Sequence, residues 1–135
     1  MCEASDAARK ALDLDCSKNY PNAQQVITYN EYSSTSLFNC HGFTFIRTQG
    51  GPDRWLGYYP GNRDPDVYLD GYYGDGSYKR VNSMQYPGGI VFWGRPGDHS
   101  AVVNSQGSVT SKWGDGPLMV HSVNYGPYGN SNLEY

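Results

Sequence analysis

Four short segments in the second half of the chain, each bounded by turn residues, constrain the fold most strongly. They occupy residues 89–94, 99–103, 108–113 and 118–122. The first is an apolar run, and segments of this length that contain β-branched or aromatic residues between turn residues are typical of short strands. The polar turn Asn104-Ser105-Gln106-Gly107 predicts a hairpin between the second and third segments. The C-terminal half is therefore predicted to form an antiparallel β-sheet.

The first half of the chain predicts helices instead. Residues 4–14 are rich in Ala, Leu, Lys and Arg, and Ser5 is a plausible N-cap. Residues 40–47 follow a second capping residue, Asn39, although their aromatic and β-branched residues also permit a strand. Residues 23–32 fit either a strand or the tail of a helix. Helices followed by an antiparallel sheet define an α+β fold.

The length of 135 residues suits one domain, residues 1–135, with a loop-rich insertion at about residues 49–78. This insertion concentrates Gly, Pro, Asp and Tyr, and long loops of this kind are usually functional or mobile. Its aromatic side chains, Trp55 and Tyr59 among them, are candidates for stacking on sugar or peptide. The alternative is that they only cover a core.

Charge and spacing exclude several classes of function. The net charge is −3 and no basic block occurs, so a nucleic-acid partner has no electrostatic support. No apolar run reaches the length of a membrane span. No phosphate-binding loop, zinc spacing or EF-hand is present, so no cofactor or metal is expected. A disulfide between Cys2 and Cys16 would leave Cys40 free, and three reduced thiols are the alternative.

Cys40 and His99 carry the candidate chemistry. Cys40 stands at the predicted start of a helix, where free main-chain amides favour a thiolate and a developing oxyanion. His99 begins a predicted strand, and an imidazole accepts and returns protons near neutral pH. The fold can bring the two together, which would make the chain a thiol hydrolase. The alternatives are a buried structural cysteine and a histidine that only bonds a turn.

Two short motifs resemble those of a known superfamily. Asn39-Cys40-His41-Gly42-Phe43 and Gly97-Asp98-His99-Ser100-Ala101-Val102 are similar to the nucleophile and base motifs of papain-like cysteine amidases and peptidases of the NlpC and CHAP types. The resemblance spans about residues 29–113. It implies a papain-like fold, with N-terminal helices packed on a C-terminal antiparallel sheet, and amide hydrolysis through a thioester without a cofactor.

The same resemblance implies a substrate, a setting and a partner. The substrate would be a peptide or a peptidoglycan fragment, and the location would be secreted or in the periplasm and cell envelope. An inhibitory immunity protein would be a partner if the chain is a toxin. A non-catalytic module that binds glycan or peptide through the aromatic insertion is the alternative function.

The group that orients His99 is harder to assign. A regular hairpin would place Ser100 opposite Ser111 and His99 opposite Lys112. A lysine cannot accept a hydrogen bond from imidazole, so Ser111 is the candidate orienter. The alternatives are three polar side chains or a backbone carbonyl; the side chains are Asn104, Thr110 and Asp115.

Three further residues are candidates around the nucleophile. Tyr29 lies near the position at which the NlpC type carries a tyrosine, and its phenol is a candidate oxyanion donor; chance placement among 13 tyrosines is the alternative. Asn39 is assigned to substrate or oxyanion binding beside its capping role. His41 is either a secondary site group or a residue on the helix surface. His121, in the last predicted strand, either lines the cleft or is structural.

Overall fold

The structure, a computed structural model, describes residues 3–57, 67–68, 81, 83–93, 99–128, 133 and 135, with the backbone alone at 56–57 and 67–68. In chain order the elements are α1 (Asp6–Asn19), β1 (Gln24–Val26), α2 (Cys40–Phe45), a 3₁₀ turn (Arg47–Gln49), β2 (Leu56–Gly57), β3 (Val67–Tyr68), β4 (Ile90–Trp93), β5 (His99–Ser105), β6 (Ser108–Lys112) and β7 (Leu118–Ser122). Helices and a five-stranded antiparallel sheet confirm the α+β class. Most of the predicted insertion, including Tyr59, lies outside the described residues.

The five-stranded sheet has the order β1-β7-β6-β5-β4, and every neighbouring pair is antiparallel. The ambiguous segment after α1 is thus a strand, β1, at one edge beside β7. β2 and β3 form a separate short parallel pair. The four strands predicted in the C-terminal half are therefore adjacent in space.

The pairing of β5 with β6 differs from the predicted regular hairpin. Val103 lies opposite Val109, whereas Ser105 lies opposite Ser108, so an irregularity interrupts the ladder between Val103 and Ser105. One residue of offset exchanges the faces on which the side chains of a strand lie. Ser111 consequently shares a face with His99, and the predicted register that placed it with Ser100 is wrong.

The two faces of the sheet have different cover. On one face, five side chains form the apolar cluster against which Tyr128, Leu133 and Tyr135 pack: Val91, Trp93, Ala101, Val103 and Val109. On the other face, α2 packs on β5 and β6, and Phe45 stacks on Phe92. The sheet therefore lies between α2 and the C-terminal segment.

Both helices begin where capping residues predict. Ser5 Oγ accepts a hydrogen bond from Ala8 N–H at 3.2 Å, and Asn39 Oδ1 accepts one from Gly42 N–H at 2.9 Å. α1 is longer than predicted, because its polar second half remains helical until Tyr20, the residue before a proline. Neither described helix is long and apolar enough to cross a bilayer.

Polar contacts from α1 anchor the segment that leads into α2. The buried guanidinium of Arg9 donates to the carbonyls of Ser34 at 2.6 Å and Tyr29 at 2.7 Å. The carboxylate of Asp13 accepts hydrogen bonds from the main-chain N–H groups of Ser33 and Ser34, both at 2.8 Å. The approach to Cys40 is therefore held by charge-assisted hydrogen bonds rather than by apolar packing.

Gly42 provides a test of how α2 is seated. A Cβ at this position would overlap the carbonyl oxygen of Arg54. Gly42→Ala should therefore lower the free energy of unfolding in urea by about 1–3 kcal/mol, the usual cost of overpacking. Gly107→Ala is the control, since Gly107 has open space and only a positive φ of 78°, worth about 1 kcal/mol of strain. A smaller loss for Gly42→Ala than for Gly107→Ala would contradict the close approach of Arg54.

Candidate active site

A gap between the two central strands defines the site. Pairing of β5 with β6 begins at Val102 and Thr110; before that point, among the described residues, β5 pairs only with β4 and the end of β6 only with β7. α2 lies over this separated end, because His41 Nδ1 is 2.8 Å from Ser100 Oγ. The sheet is therefore open where the helix begins.

The thiol of Cys40 lies beside this gap. The N–H of Val103 points to the β4 side, where it donates to the carbonyl of Gly89 at 2.8 Å. N–H groups alternate sides along a strand, so the N–H of Ser100 points to the β6 side. This N–H lies close enough to the Cys40 sulfur to lower the pKa of the thiol, as do the main-chain N–H groups of Cys40 itself and His41. The sulfur therefore lies near the edge of β5 that faces β6.

Burial governs the ionisation of this thiol. Cys40 is only 6% exposed, and burial raises the pKa of its thiol to about 11, against the lowering effect of the three N–H groups and Lys112. A helix N-terminus by itself predicts the opposite direction. Cys40 is therefore a protonated thiol in this structure.

Lys112 is a buried lysine to which the sequence patterns assigned no role in the site. Its Nζ donates to the carbonyls of Thr35 and Gly114, both at 2.6 Å, and lies 5.2 Å from the centre of the Phe38 ring. Burial lowers the pKa of Lys112 to about 7. A lysine within a predicted strand is the sequence signal that could have indicated a buried polar group. The face of β6 on which this lysine lies depends on the irregular hairpin.

His99 lies on the opposite face of the sheet from α2. Its ring is 0% exposed, stacks on Tyr128 with a centroid distance of 3.5 Å and an interplanar angle of 9°, and lies 4.9 Å from the ring of Trp93. Neither ring nitrogen has a hydrogen-bond partner, so no hydrogen bond joins His99 to Cys40. Burial, followed by the charges of His41 and His121, lowers the pKa of His99 well below its usual value.

The unpartnered nitrogens of His99 carry a cost. A buried polar group without a hydrogen bond costs about 1–3 kcal/mol relative to a satisfied one. Such exceptions in a native fold call for an explanation, of which a catalytic role is one. The imidazole is neutral and both nitrogens are free of competing bonds, as a proton acceptor requires.

Ser111 is not brought to His99. Its hydroxyl receives the indole N–H of Trp113 at 3.0 Å and lies 2.8 Å from Nε2 of His121. His121 Nδ1 is 2.8 Å from the carbonyl of Ser122, which fixes the proton on Nδ1 and makes Nε2 the acceptor from Ser111. The predicted orienter is therefore committed to His121, which is structural.

Asn39 and His41 hold α2 in place. Asn39 is buried and its side chain caps the helix. His41 is also buried, so the interpretation as a helix-surface residue is wrong. Since Ser100 Oγ donates to Thr44 Oγ1 at 3.1 Å, His41 Nδ1 is the donor to Ser100. Both residues act on the position of the thiol.

Tyr29 and Trp55 make other contacts. The hydroxyl of Tyr29 accepts a hydrogen bond from Arg47 at 2.8 Å and donates to Asp53. Arg47 also forms an ion pair with Asp53 at 2.6 Å. Trp55 donates its indole N–H to the carbonyl of Ser36 at 2.7 Å. The contacts of both side chains are thus structural in this arrangement.

The cysteines and metal-ligating groups are accounted for within the described residues. Cys16 and Cys40 are free thiols, and Cys2 lies outside the described part of the chain. The described side chains contain no group of three or more His, Cys, Asp or Glu residues that could hold a metal ion.

The buried histidines predict a stability that depends on pH. Burial lowers the pKa of His99 and His121 in the folded state, so their contribution is complete above pH 6.5 and is lost as the pH falls through the folded-state values. Urea unfolding should show a loss of up to about 1.4 kcal/mol per pH unit per histidine below pH 6.5. The lowered pKa of Lys112 affects the stability mainly at higher pH than this, and the lowered pKa of Glu3 affects it at lower pH.

His99→Gln is the matched variant for this measurement. It should flatten the slope between pH 6.5 and 5 relative to the unmodified chain. A free energy of unfolding that stays constant across this window in the unmodified chain would contradict the neutral, buried state of the two histidines.

The site thus consists of a protonated thiol beside the gap between β5 and β6 and a neutral imidazole on His99, the residue before Ser100, whose main-chain N–H lowers the pKa of the thiol. In comparisons with known proteins, no family model matches the chain, and neither a curated protein nor a solved structure shows significant similarity to it.

Proposed function

We propose that this chain is a cysteine-dependent amide hydrolase, a peptidase or amidase of papain-like arrangement, with Cys40 as nucleophile and His99 as general base. The observation that supports it is the closeness of the thiol, at the first position of α2, to the main-chain N–H of Ser100, one residue from His99. Nucleophile and base then stand on two elements that pack directly on each other. This is the order and context in which the two motifs resemble those of cysteine amidases.

The proposed reaction balances with these two side chains and water. His99 takes the proton of the Cys40 thiol as the sulfur attacks the amide carbonyl carbon. The tetrahedral intermediate collapses, the C–N bond breaks, and the amine leaves with the proton from His99. Water, deprotonated by His99, then attacks the thioester and releases the acid and the thiol.

Main-chain amides at the start of α2 suit the developing oxyanion. The main-chain N–H groups of Cys40 and His41 lie close enough to the sulfur to lower the pKa of the thiol. Preorganised donors of this kind stabilise the charge that forms during acyl transfer. Asn39 supports them by capping the helix that carries them.

The reactive arrangement differs from the resting one. The two side chains share no hydrogen bond here, and the ring of His99 lies on the face of the sheet opposite α2. Proton transfer therefore requires the thiol and the imidazole to approach each other through the separated end of β5 and β6. Catalytic hydrogen bonds in structures without substrate are often long and tighten only in the substrate complex. A protonated thiol beside a neutral imidazole is one of the two proton distributions from which attack can start.

The substrate class follows from the resemblance of the two motifs. We propose a peptide or a peptidoglycan fragment, acted on in a secreted or periplasmic, cell-envelope setting. An inhibitory immunity protein would be the partner if the chain acts as a toxin. The aromatic insertion is the proposed contact surface for the remainder of such a substrate.

A second candidate function is a non-catalytic module that binds glycan or peptide. The burial of Cys40 and His99, and the raised pKa of the thiol, favour it, because both groups then serve as core residues. In that case Cys40→Ala would leave binding unchanged. The thiol labelling described next separates the two functions.

Labelling with iodoacetamide tests the thiol–imidazole pair, and the chain carries its own reference. Cys16 is a second free thiol, half-buried on α1 and remote in sequence from the site. Peptide mass spectrometry at pH 7 should show the Cys40:Cys16 labelling ratio fall by about 100-fold in His99→Gln, the low end expected for loss of a general base.

His121→Gln is the matched control, since it removes another buried histidine of the same sheet without removing the base. Its ratio should stay within about twofold of the unmodified chain, well below the general-base effect. Equal ratios in His99→Gln and the unmodified chain would refute the catalytic pair. Incubation with peptidoglycan fragments, with Cys40→Ala as the inactive reference, then tests the substrate class by the new carboxylate and amine ends.

A further inference from the structure

We propose that Tyr128 is the positioning residue of His99: its ring, rather than a polar side chain, sets the plane of the imidazole that receives the Cys40 proton. This inference rests on the proposed function and deepens it. It assigns a role in the same site to a residue in the segment after β7, far in sequence from both motifs.

The stacking geometry carries the assignment. The rings of His99 and Tyr128 are nearly parallel, at 9°, with centroids 3.5 Å apart. Trp93, paired with His99 across β4 and β5, lies 4.9 Å away at a tilt of 54°. An imidazole held between a parallel ring and a tilted one cannot rotate about its Cβ–Cγ bond without losing the stack.

Hydrogen bonding does not provide this orientation. Both nitrogens of His99 lack a partner, and the hydroxyl of Ser111 is engaged by Trp113 and His121. A conventional polar orienter would occupy one nitrogen and fix the tautomer. Stacking fixes the plane and leaves both nitrogens without a competing hydrogen bond, so the unprotonated nitrogen of either tautomer can take the proton when the sulfur approaches.

The segment that carries Tyr128 is itself anchored. The N–H of Tyr125 donates to the carbonyl of Ser122 at 2.9 Å, and its hydroxyl accepts the N–H of Asn22 at 3.2 Å. Gly126 has a φ of 149°, which favours glycine, and a Cβ there would lie 3.2 Å from the indole of Trp113. The ring of Tyr128 is therefore presented by a defined turn.

The groups that influence the charge of His99 come from both sides of the sheet. Burial lowers the pKa of His99 most, followed by the charges of His41 on α2 and His121 on β7. Tyr128 is buried, and burial, followed by the charge of Cys40, raises the pKa of its phenol. Tyr128 is accordingly a neutral ring at physiological pH, within electrostatic range of Cys40.

Two substitutions at this position separate stacking from bulk. Tyr128→Phe keeps the ring and should leave the Cys40:Cys16 labelling ratio at pH 7 within about twofold of the unmodified chain. Tyr128→Leu keeps an apolar side chain without a ring, and should lower the ratio by about tenfold, because a poorly oriented base loses much of its effect.

A pH profile gives a readout that a structural role alone would not move. In Tyr128→Leu the less buried His99 should have a higher pKa, seen in its ring NMR signals, and the acid limb of the Cys40 labelling profile should shift to higher pH. In the unmodified chain and in Tyr128→Phe, the ring protons of His99 should show the upfield shift of a stacked ring. The measurement of this upfield shift in the unmodified chain needs no destabilised variant.

Each outcome has a distinct meaning. If His99→Gln does not change Cys40 labelling, the proposed function itself fails. If His99→Gln lowers labelling but Tyr128→Leu leaves it unchanged, or raises it by uncovering the site, the positioning role of Tyr128 is overturned. Absence of the upfield shift in the unmodified chain overturns it as well.

Discussion

The irregular pairing of β5 with β6 is the constraint on which the rest of the structure depends. A one-residue offset between Val103 and Ser105 exchanges the faces of β6 and is followed by separation of the two strands before Val102. At the separated end, the main-chain N–H of Ser100 lies close enough to the Cys40 sulfur to lower the pKa of the thiol. α2 is held on this end of the sheet by the hydrogen bonds of Ser100 Oγ with His41 and Thr44.

Polar side chains fill the space around this gap, which is unusual for the centre of a small domain. Lys112 and Arg9 are buried, and each is held mainly by main-chain carbonyls that would otherwise lack donors. His41 and His121 are buried and hydrogen-bonded, whereas His99 is buried without a partner. Satisfied polar groups specify how the elements meet. Among the described residues, Arg9 Nη1 and both ring nitrogens of His99 are buried without a hydrogen-bond partner, and His99 is the residue with no hydrogen bond on either nitrogen.

The proposed chemistry and the proposed positioning role share this arrangement. Burial keeps the thiol protonated and the imidazole neutral, so the pair stores no separated charge in the resting state. Separated charge in a dry site would be costly, and it would form only when substrate supplies an electrophile. Tyr128 and Trp93 then hold the base while the sulfur moves, and the N–H groups at the start of α2 meet the oxyanion.

Local signals in the sequence determined the elements and the placement of the two candidate catalytic residues on them. The N-caps Ser5 and Asn39 mark the starts of the two helices. The four predicted strand segments mark β4 to β7, and β7 has the predicted bounds, residues 118–122. These features depend on neighbours within a few positions, so the sequence reveals them.

The tertiary structure decided the surroundings of the site. The faces of β6, the burial that reverses the pKa shift of Cys40, and the stacking of Tyr128 on His99 all arise from contacts between residues far apart in the chain. One residue of register is enough to turn a side chain from one face to the other, and no local pattern around Asn104 indicates that offset.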